Sequence, residues 1–148
     1  MMDKNRYIEV IARGVCIRNK RILLCFGRKS GIAYLPGGHV DFGENGKQAL
    51  EREIEEEMGL KSVAGQFLGC CEHWFIQNGR RHAEVNLVYQ LDVSGLDADR
   101  QPESVEDWIG FIWQPFDQLD EIRFEPAELG AELAVWVASP GQYLSSGY

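Results

Sequence analysis

The acidic residues of one short segment carry the clearest chemical signal in this sequence. Residues 51–57 read Glu-Arg-Glu-Ile-Glu-Glu-Glu, and on a helical wheel at about 100° per residue Glu53, Glu56 and Glu57 share one arc. Two unit charges about 4 Å apart repel by roughly 4 kcal/mol at an effective dielectric of about 20. A divalent cation would turn that repulsion into attraction, and carboxylate oxygens suit Mg²⁺ or Mn²⁺ rather than Zn²⁺. The segment therefore predicts a cation site.

The apolar neighbours of these acids indicate how the helix packs. Leu50, Ile54 and Met58 recur at helical spacing and form a stripe beside the acidic arc. The ordinary alternative is a solvated acidic face, which surface helices often carry. Against it, Glu53 and Glu57 form a like-charge i, i+4 pair, which destabilises a helix. The acids also border the buried stripe, where salt screens charges less, so we expect them to line a partly buried site.

Signals at both ends define the helix that carries the acids. Asn45 is a good N-cap, and Gln48 three residues later suits a capping box. Gly59 is placed to end the helix at the C′ position. Upstream, Pro36-Gly37-Gly38 ends a short strand that begins at residues 34–35. The sequence thus predicts a helix between Asn45 and Gly59, entered from a glycine-rich turn.

The remaining elements read mostly as strands. Apolar and β-branched runs predict strands over residues 7–17, 22–26, 64–77, 84–91 and 108–113. The strand over 108–113 is predicted to be the last one in the chain. The continuous apolar run over 22–26 predicts burial on both faces of that strand. Asn78-Gly79 predicts a hairpin between two of these strands, and Glu84 and Asn86 lie on the polar face of the second.

A second helix and a tail complete the chain. Pro126 suits the first position of a helix whose apolar stripe comprises Leu129, Leu133, Trp136 and Val137. The segment from about 139 to 148 is rich in Gly, Ser and Pro, so we expect a flexible tail. This order of elements predicts an α/β (α+β) fold, a mixed sheet covered by helices, in a single domain over residues 1–148.

The composition limits the classes of function. The 148 residues include 15 Lys plus Arg and 23 Asp plus Glu, a formal charge of −8, with 45% apolar residues. These values exclude disorder, and the acidic balance argues against a broad nucleic-acid face and against anionic membranes. No apolar run approaches the ~20 residues of a membrane span, and the N-terminus lacks the apolar core of a signal peptide. Because the four cysteines have no metal-site spacing, we expect free buried thiols and a cytoplasmic protein.

A longer pattern surrounds the acidic helix. Gly38 is followed after five residues by Glu44, and after seven more by Arg52-Glu53-Ile54-Glu55-Glu56-Glu57-Met58-Gly59-Leu60. At every defined position this resembles the Nudix box, G-x5-E-x7-R-E-U-x-E-E-x-G-U, in which U is apolar. The resemblance to the Nudix hydrolase family implies an α/β/α sandwich around a mixed sheet, with the box as loop–helix–loop. It also implies Mg²⁺-dependent hydrolysis of a phosphoanhydride bond in a nucleoside diphosphate linked to another group, with Mn²⁺ as a substitute metal.

The resemblance also assigns roles to box residues by position. Glu53, Glu56 and Glu57 would hold the metal ions, and one of them, or a carboxylate outside the box, would orient or deprotonate the attacking water. Arg52 would pair with the box glutamates and hold them in place.

Two further box positions, and the glycine before the box, would support this metal site. Glu44 would stabilise the loop from behind, while Gly37 and Gly38 would let the backbone approach metal and phosphate. In the family a carbonyl at the position of Gly37 can serve as a metal ligand.

Candidates outside the box are more numerous. The family's additional acid falls here either at Glu84 or in the loop that contains Glu103, Glu106 and Asp107, and the sequence leaves these open. The candidates for substrate contact are Tyr34, His39, Trp74 and Glu84. The ring of Tyr34, Trp74 or its neighbour Phe75 could stack on a nucleobase or belong to the core.

The resemblance leaves several functions open. The substrate classes are nucleoside triphosphates, ADP-ribose or nucleotide sugars, and capped or dinucleoside polyphosphates, of which the short chain favours a small MutT-like nucleotide hydrolase. The alternative is a non-catalytic nucleotide-binding regulatory module on the same fold, although such modules commonly lose box glutamates. A small nucleotide is the expected partner, without stable nucleic-acid or membrane binding, and homodimers are common in the family.

Overall fold

The computed structural model describes residues 6–147 and contains nine strands, two α-helices and one 3₁₀ helix within them. In chain order they are β1 (Ile8–Val15), β2 (Ile17–Arg18), β3 (Arg21–Gly27), β4 (Ala33–Tyr34), β5 (Gly37–His39), α1 (Gly46–Met58), β6 (Ser62–Gln77), β7 (Arg80–Val93), β8 (Ile109–Pro115), the 3₁₀ helix (Phe116–Glu121), α2 (Ala127–Ala138) and β9 (Gln142–Ser146). Across this range, none of the helices has both the length and the apolar character needed to cross a membrane.

The strands form two sheets. The larger has the order β5-β1-β7-β6-β9, in which β1 runs parallel to β7 and β6 parallel to β9, while the other pairs are antiparallel. The smaller contains β2, β3 and β4, with β8 paired to the other edge of β3. A mixed sheet flanked by helices is what the sequence predicted, and the structure confirms it.

Two apolar cores lie on opposite sides of the strands. Along β3, Leu23 and Cys25 join the core that contains the stripe of α1, whereas Ile22 and Leu24 join the core that contains the stripe of α2. Successive side chains of a strand point to opposite faces, so a strand covered on both sides must be apolar throughout. The predicted burial of residues 22–26 on both faces is thereby explained.

The ends of α1 follow the predicted signals. Asn45 Oδ1 accepts a hydrogen bond from the Gln48 backbone N–H at 2.9 Å, and Gln48 Oε1 accepts one from the Asn45 N–H at 3.0 Å. Gly59 ends the helix in the left-handed conformation with φ 69°. Leu50 and Ile54 are fully buried, which fixes the rotation of the helix about its axis and with it the direction of the acidic arc.

The β6–β7 hairpin also follows its sequence signal. Asn78 and Gly79 have φ of 51° and 74°, and positive φ at both central residues is what a two-residue hairpin turn requires. The turn sets the register, which pairs Gln77 with Arg80 and, further along, His73 with Glu84. Paired residues lie on the same face, so this register decides which hairpin side chains share a surface.

The prediction of a flexible tail from residue 139 is wrong for most of that segment. Gln142–Ser146 forms β9, which pairs in parallel with Gly69–His73 of β6 and is the last strand of the fold. Gly141, at φ 94°, turns the chain back after α2, and its N–H donates to Leu68 O at 2.9 Å. The edge of β6 that β7 leaves unpaired thus recruits the tail. Residue 148 lies outside the described residues.

The four cysteines are free thiols, as predicted. Cys16, Cys25 and Cys71 are buried, and Cys70 is partly buried. Burial raises the pKa of the Cys25 and Cys71 thiols to about 12, which keeps them protonated and unreactive near neutral pH. They behave as small apolar residues of the core.

Candidate active site

One large cleft, of about 930 Å³, is lined by residues of both sheets, of α1 and of the segment that leads into α2. A cleft of this volume accommodates a ligand the size of a nucleotide. The structure brings together on its walls these residues singled out from the sequence: Tyr34, Gly37, Gly38, His39, Glu53, Glu56, Glu57 and Glu84. The acidic arc of α1 therefore faces a cleft and not open solvent.

Glu57 is the most deeply placed of the three acids. Its residue is 9% exposed, and its Oε2 is buried without a hydrogen-bond partner among the residues described. Burial, and then the charge of Glu53, raise the pKa of Glu57 to about 8. A buried carboxylate without a partner is costly, and the usual remedies are protonation or a bound cation.

Arg52 lies behind the acids and ties the box together. Its Nε and Nη2 donate to the two carboxylate oxygens of Glu44 at 3.1 and 2.7 Å. Its Nη1 donates to Glu53 Oε1 at 3.0 Å and reaches Glu56 at 3.3 Å, while Nη2 also donates to His39 O at 2.9 Å. This geometry suits a residue that orients carboxylates, because the N–H groups of the guanidinium donate to protein acceptors.

Glu44 connects the same arginine to the loop before α1. Its Oε1 accepts a hydrogen bond from the Asp41 N–H at 2.8 Å. The hydrogen bonds from Arg52 lower the pKa of Glu44, so this carboxylate remains charged and the contact remains ionic. Glu44 thus stabilises the loop from outside the cleft.

The two glycines of the turn allow close backbone approach. A Cβ at Gly37, where φ is 144°, would collide with Ala12 O on the neighbouring strand β1. A Cβ at Gly38 would lie 2.6 Å from Glu53 Oε1, which is shorter than any normal contact. Glycine at both positions is therefore a steric requirement of placing β5 against β1 and against the acidic arc.

The donor set suits a hard divalent cation. Within residues 6–147, no three His, Cys, Asp or Glu side chains converge as a ready-made metal cluster, and Arg52 forms ion pairs with Glu53 and Glu56. The unpartnered Oε2 of Glu57 nevertheless lies buried beside Glu53, on the face that also carries Glu56. Mg²⁺ takes carboxylate oxygens together with water and substrate phosphate oxygens, and a cation there would compensate the buried charge.

The structure narrows the choice of an additional acid. Glu84 and Glu106 both line the cleft, whereas Glu103 and Asp107 do not. The loop that contains Glu106 is anchored to α1, because the Val105 N–H donates to Glu57 O at 2.8 Å. The charge of Glu106 contributes to the raised pKa of Glu57.

Trp74 is not brought together with the other candidates. It lies on the opposite face of β6, where it contacts Gly147, and its neighbours His73 and Phe75 line the cleft instead. The rings of His73 and Phe75 stack with centroids 5.0 Å apart, and Phe75 stacks on His82 of β7 at the same distance. Of this aromatic wall, defined as His73, Phe75 and His82, the sequence offered Phe75 as a stacking ring but missed the two histidines.

Two polar residues of the cleft were also missed. Arg13 of β1 and Asn86 of β7 line it, and Arg13 Nε donates to Asn86 Oδ1 at 3.4 Å. The neighbouring strand residues carried no signal for Arg13, whereas the sequence placed Asn86 beside Glu84 on the polar face of its strand without assigning it a role. Asn86 is 3% exposed, so its amide must be held by protein groups.

Comparison with known proteins agrees with this architecture. The putative mutator protein MutT4 of Mycobacterium tuberculosis is 32% identical over 115 residues, which are 72% of this chain and 44% of that protein. The ADP-ribose pyrophosphatase of Methanocaldococcus jannaschii is 34% identical over 89 residues, 58% of this chain and 52% of its own length. The chain thus spans about half the length of these relatives.

A solved structure and a family model match a larger share of this chain than these relatives do. The MutT NUDIX hydrolase from Burkholderia pseudomallei superposes with a TM-score of 0.67 at 26% identity, covering 86% of this chain and 98% of that one. The family model described as the NUDIX domain matches residues 9–134, a range that includes the box and most of both helices. On this match, the chain belongs to the NUDIX domain family.

Proposed function

We propose that the protein is a Mg²⁺-dependent hydrolase of a phosphoanhydride bond in a nucleoside diphosphate linked to another group, with Mn²⁺ able to replace Mg²⁺. The observation that carries this proposal is the buried, unpartnered Oε2 of Glu57, next to Glu53 and facing a cleft of nucleotide size. Family membership agrees with it, as do relatives named as a mutator protein and an ADP-ribose pyrophosphatase.

The residues of the box and of the glycine turn would bind the cation. Glu53, Glu56 and Glu57 supply carboxylate oxygens, Arg52 keeps two of them oriented, and the glycine turn lets the Gly37 carbonyl serve as a further ligand. When bound, the cation would neutralise the phosphates and lower the pKa of a water molecule. Because phosphoryl transfer needs little covalent participation by protein groups, the positioning of these ligands accounts for most of the catalysis.

The attacking water needs a proton acceptor, and we assign that role to Glu106. Its charge acts on Glu57, and the neighbouring Val105 N–H holds the loop to the carbonyl of Glu57. Glu84, the other candidate, is engaged by the Asn86 amide at 3.3 Å and lies directly opposite His73 in the hairpin. That position suits contact with the substrate better than proton transfer at the metal ions.

The substrate end of the cleft would hold the nucleoside. The aromatic wall offers ring surface on which a base can stack, worth about 1–3 kcal/mol per base. Tyr34 and His39 lie on the same cleft, nearer the turn that contains Gly37 and Gly38. We favour a nucleoside triphosphate of the MutT type over ADP-ribose or a nucleotide sugar, since the match to the relative named as a mutator protein spans 72% of this chain and the match to the ADP-ribose pyrophosphatase 58%.

We further place this activity in the cytoplasm. All four cysteines are unpaired thiols with three of them buried, which suits a reducing compartment. A small nucleotide would be the partner of the reaction.

The proposal is tested by a substrate panel with Mg²⁺ and with Mn²⁺. The panel contains nucleoside triphosphates, 8-oxo-dGTP, ADP-ribose, NADH, ADP-sugars and diadenosine polyphosphates, and product masses show which bond breaks. Glu57→Gln should lower kcat by orders of magnitude, whereas Glu55→Gln, an exposed glutamate of the same helix, should retain wild-type turnover. Metal-independent turnover, or equal turnover in the two variants, would overturn the proposal. Nucleotide binding without turnover would favour the regulatory module instead.

A further inference from the structure

The guanidinium of Arg13 occupies a central position in the cleft. Arg13 belongs to β1, where it pairs with Gly37 of β5 on one side and with Val88 of β7 on the other. It therefore emerges beside the glycine turn, and its charge reaches Glu57 strongly enough to oppose the rise of that residue's pKa. A cation at this point faces the region in which the proposed metal site and the scissile phosphates would meet.

Three contacts hold the guanidinium in place. Arg13 Nη1 donates to Leu35 O at 3.1 Å, Nε donates to Asn86 Oδ1 at 3.4 Å, and the group lies 5.3 Å from the ring centroid of Tyr34. An arginine has five N–H donors in a fixed fork. Within residues 6–147, Nη2 makes no hydrogen bond and Arg13 forms no ion pair, so the fork is oriented while one of its ends remains available.

Asn86 determines which way that fork faces. Its Nδ2 donates to Cys71 O and to Glu84 Oε2, each at 3.3 Å, which fixes the orientation of the amide. Oδ1 must then face Arg13, because the amide of this buried residue cannot turn over without losing both bonds. Asn86 thus separates a fixed cation, Arg13, from a fixed anion, Glu84, on one wall of the cleft.

We propose that Arg13 binds a phosphate oxygen of the substrate through Nη2 and that Asn86 is the residue that positions it. The inference rests on the proposed function and names a contact beside the glycine turn, on the same cleft as the acidic arc. A partly buried guanidinium without a carboxylate partner needs a counter-charge, and phosphate is the anion that an arginine fork fits best. If Arg13 only held Leu35 O and the Tyr34 ring in place, none of its N–H donors would need to remain free of a hydrogen bond.

The test uses a diphosphate analogue that cannot be hydrolysed. Methylenediphosphonate is titrated in the presence of Mg²⁺ by calorimetry into the wild-type protein, Arg13→Gln, Arg13→Lys and Asn86→Leu. The matched control is Arg18→Gln, because Arg18 is also partly buried and also donates to main-chain carbonyls, those of Leu96 and Val93, but lies outside the cleft. Steady-state kinetics with the best substrate of the panel and thermal unfolding accompany each titration.

The expected losses follow from the contact. Arg13→Gln should weaken diphosphonate binding roughly 10- to 100-fold, the range for hydrogen bonds between charged groups, and raise KM more than it lowers kcat. Arg13→Lys should recover part of the affinity, since it keeps the charge without the fork. Asn86→Leu should give a smaller loss in the same direction, and Arg18→Gln should lower the melting temperature without changing affinity or KM.

Two results would overturn the assignment. One is unchanged diphosphonate affinity and KM in Arg13→Gln, even if that variant is less stable; the other is a wild-type protein that does not bind the analogue with Mg²⁺. The binding titration needs no turnover, so it separates this inference from the proposed reaction. Arg13-dependent binding in a protein that hydrolyses no member of the panel would support the contact and refute the hydrolase.

Discussion

Replacing Glu57 by glutamine should stabilise the metal-free protein at alkaline pH, although it removes a proposed catalytic group. Glu57 is 9% exposed, and its pKa is raised from an ordinary value of 4.5 to about 8. Between these values the folded state keeps a proton that the unfolded state has released. Stability from this group is therefore complete below about pH 4.5 and is lost as the pH rises toward about 8.

The size of the stability difference follows from the interval between the ordinary and the raised pKa of Glu57. Each pKa unit corresponds to about 1.4 kcal/mol, so the full shift would cost the folded state roughly 3–5 kcal/mol. The glutamine side chain of the Glu57→Gln variant cannot ionise, and its amide can donate to the neighbouring Glu53 carboxylate. For a chain of this length, 1 kcal/mol changes the melting temperature by about 2–4 °C, so the variant should melt roughly 10 °C above the wild type near pH 8.

The assay is thermal unfolding in the presence of a chelator, from about pH 5 to about pH 8. The two proteins should melt at similar temperatures at the acid end and diverge toward the alkaline end. Glu55→Gln is the matched control: Glu55 is exposed, pairs with Lys61 and should change the melting temperature little at any pH. With saturating Mg²⁺ the order should invert, because cation binding stabilises the wild type and not Glu57→Gln.

Parallel pH profiles for wild type and Glu57→Gln would refute this reasoning. They would mean that Glu57 ionises at its ordinary pKa in the folded protein, and hence that it is not confined beside Glu53 without a partner. A Mg²⁺-induced shift of equal size in both proteins would separately refute the assignment of Glu57 as a ligand.

Three further outcomes test other parts of the cleft. Glu106→Gln should lower kcat by about 10²-fold or more with little change in KM, as measured by initial rates, if Glu106 accepts the proton of water. Gly38→Ala should cost about 1–3 kcal/mol in denaturant unfolding and reduce activity, because its Cβ would displace Glu53. Phe75→Ala should raise KM about tenfold through lost stacking, whereas Trp74→Ala on the opposite face of β6 should leave KM unchanged.

Local signals were sufficient for the acidic helix and its entry. Asn45, Gln48 and Gly59 act through contacts within a few residues, so their spacing determines the cap geometry that the structure shows. The stripe of Leu50 and Ile54 depends only on helical periodicity. The direction of the acidic arc follows from that stripe, because a helix with one buried face has no freedom to rotate about its axis.

Non-local contacts explain what the sequence did not predict. Trp74 was a candidate because of its chemistry, but its face depends on the register across the hairpin. The turn at Asn78-Gly79 pairs His73 with Glu84, so a polar face that contains Glu84 must contain His73 and exclude Trp74. The face of Trp74 could therefore have been predicted from the sequence. The docking of β9 could not, since it depends on the unpaired edge of β6 being accessible to the tail.

The position of Arg13 in the cleft could not be predicted from the sequence, for a different reason. Nothing in the run of residues 8–15 distinguishes an arginine on a solvated strand from one held in a cleft, because its fixing groups come from Leu35 and Asn86, distant in the chain. Only after β1 is placed between β5 and β7 does its position beside Gly37 become evident. Single-residue chemistry predicts ligands well when they cluster in sequence and poorly when they converge from separate strands.

The distribution of charge explains how a protein of formal charge −8 can bind a polyphosphate. Arg52 is not among the residues that line the cleft and makes its hydrogen bonds to Glu44, Glu53 and Glu56, so it neutralises these acids without offering a site to phosphate. Glu57 Oε2 has no hydrogen-bond partner among the described residues, and Arg13 provides a fixed positive charge on the same cleft. Full diphosphonate affinity should therefore need both groups: a chelator should abolish binding in the wild type, whereas raising the Mg²⁺ concentration should not restore wild-type affinity to Arg13→Gln.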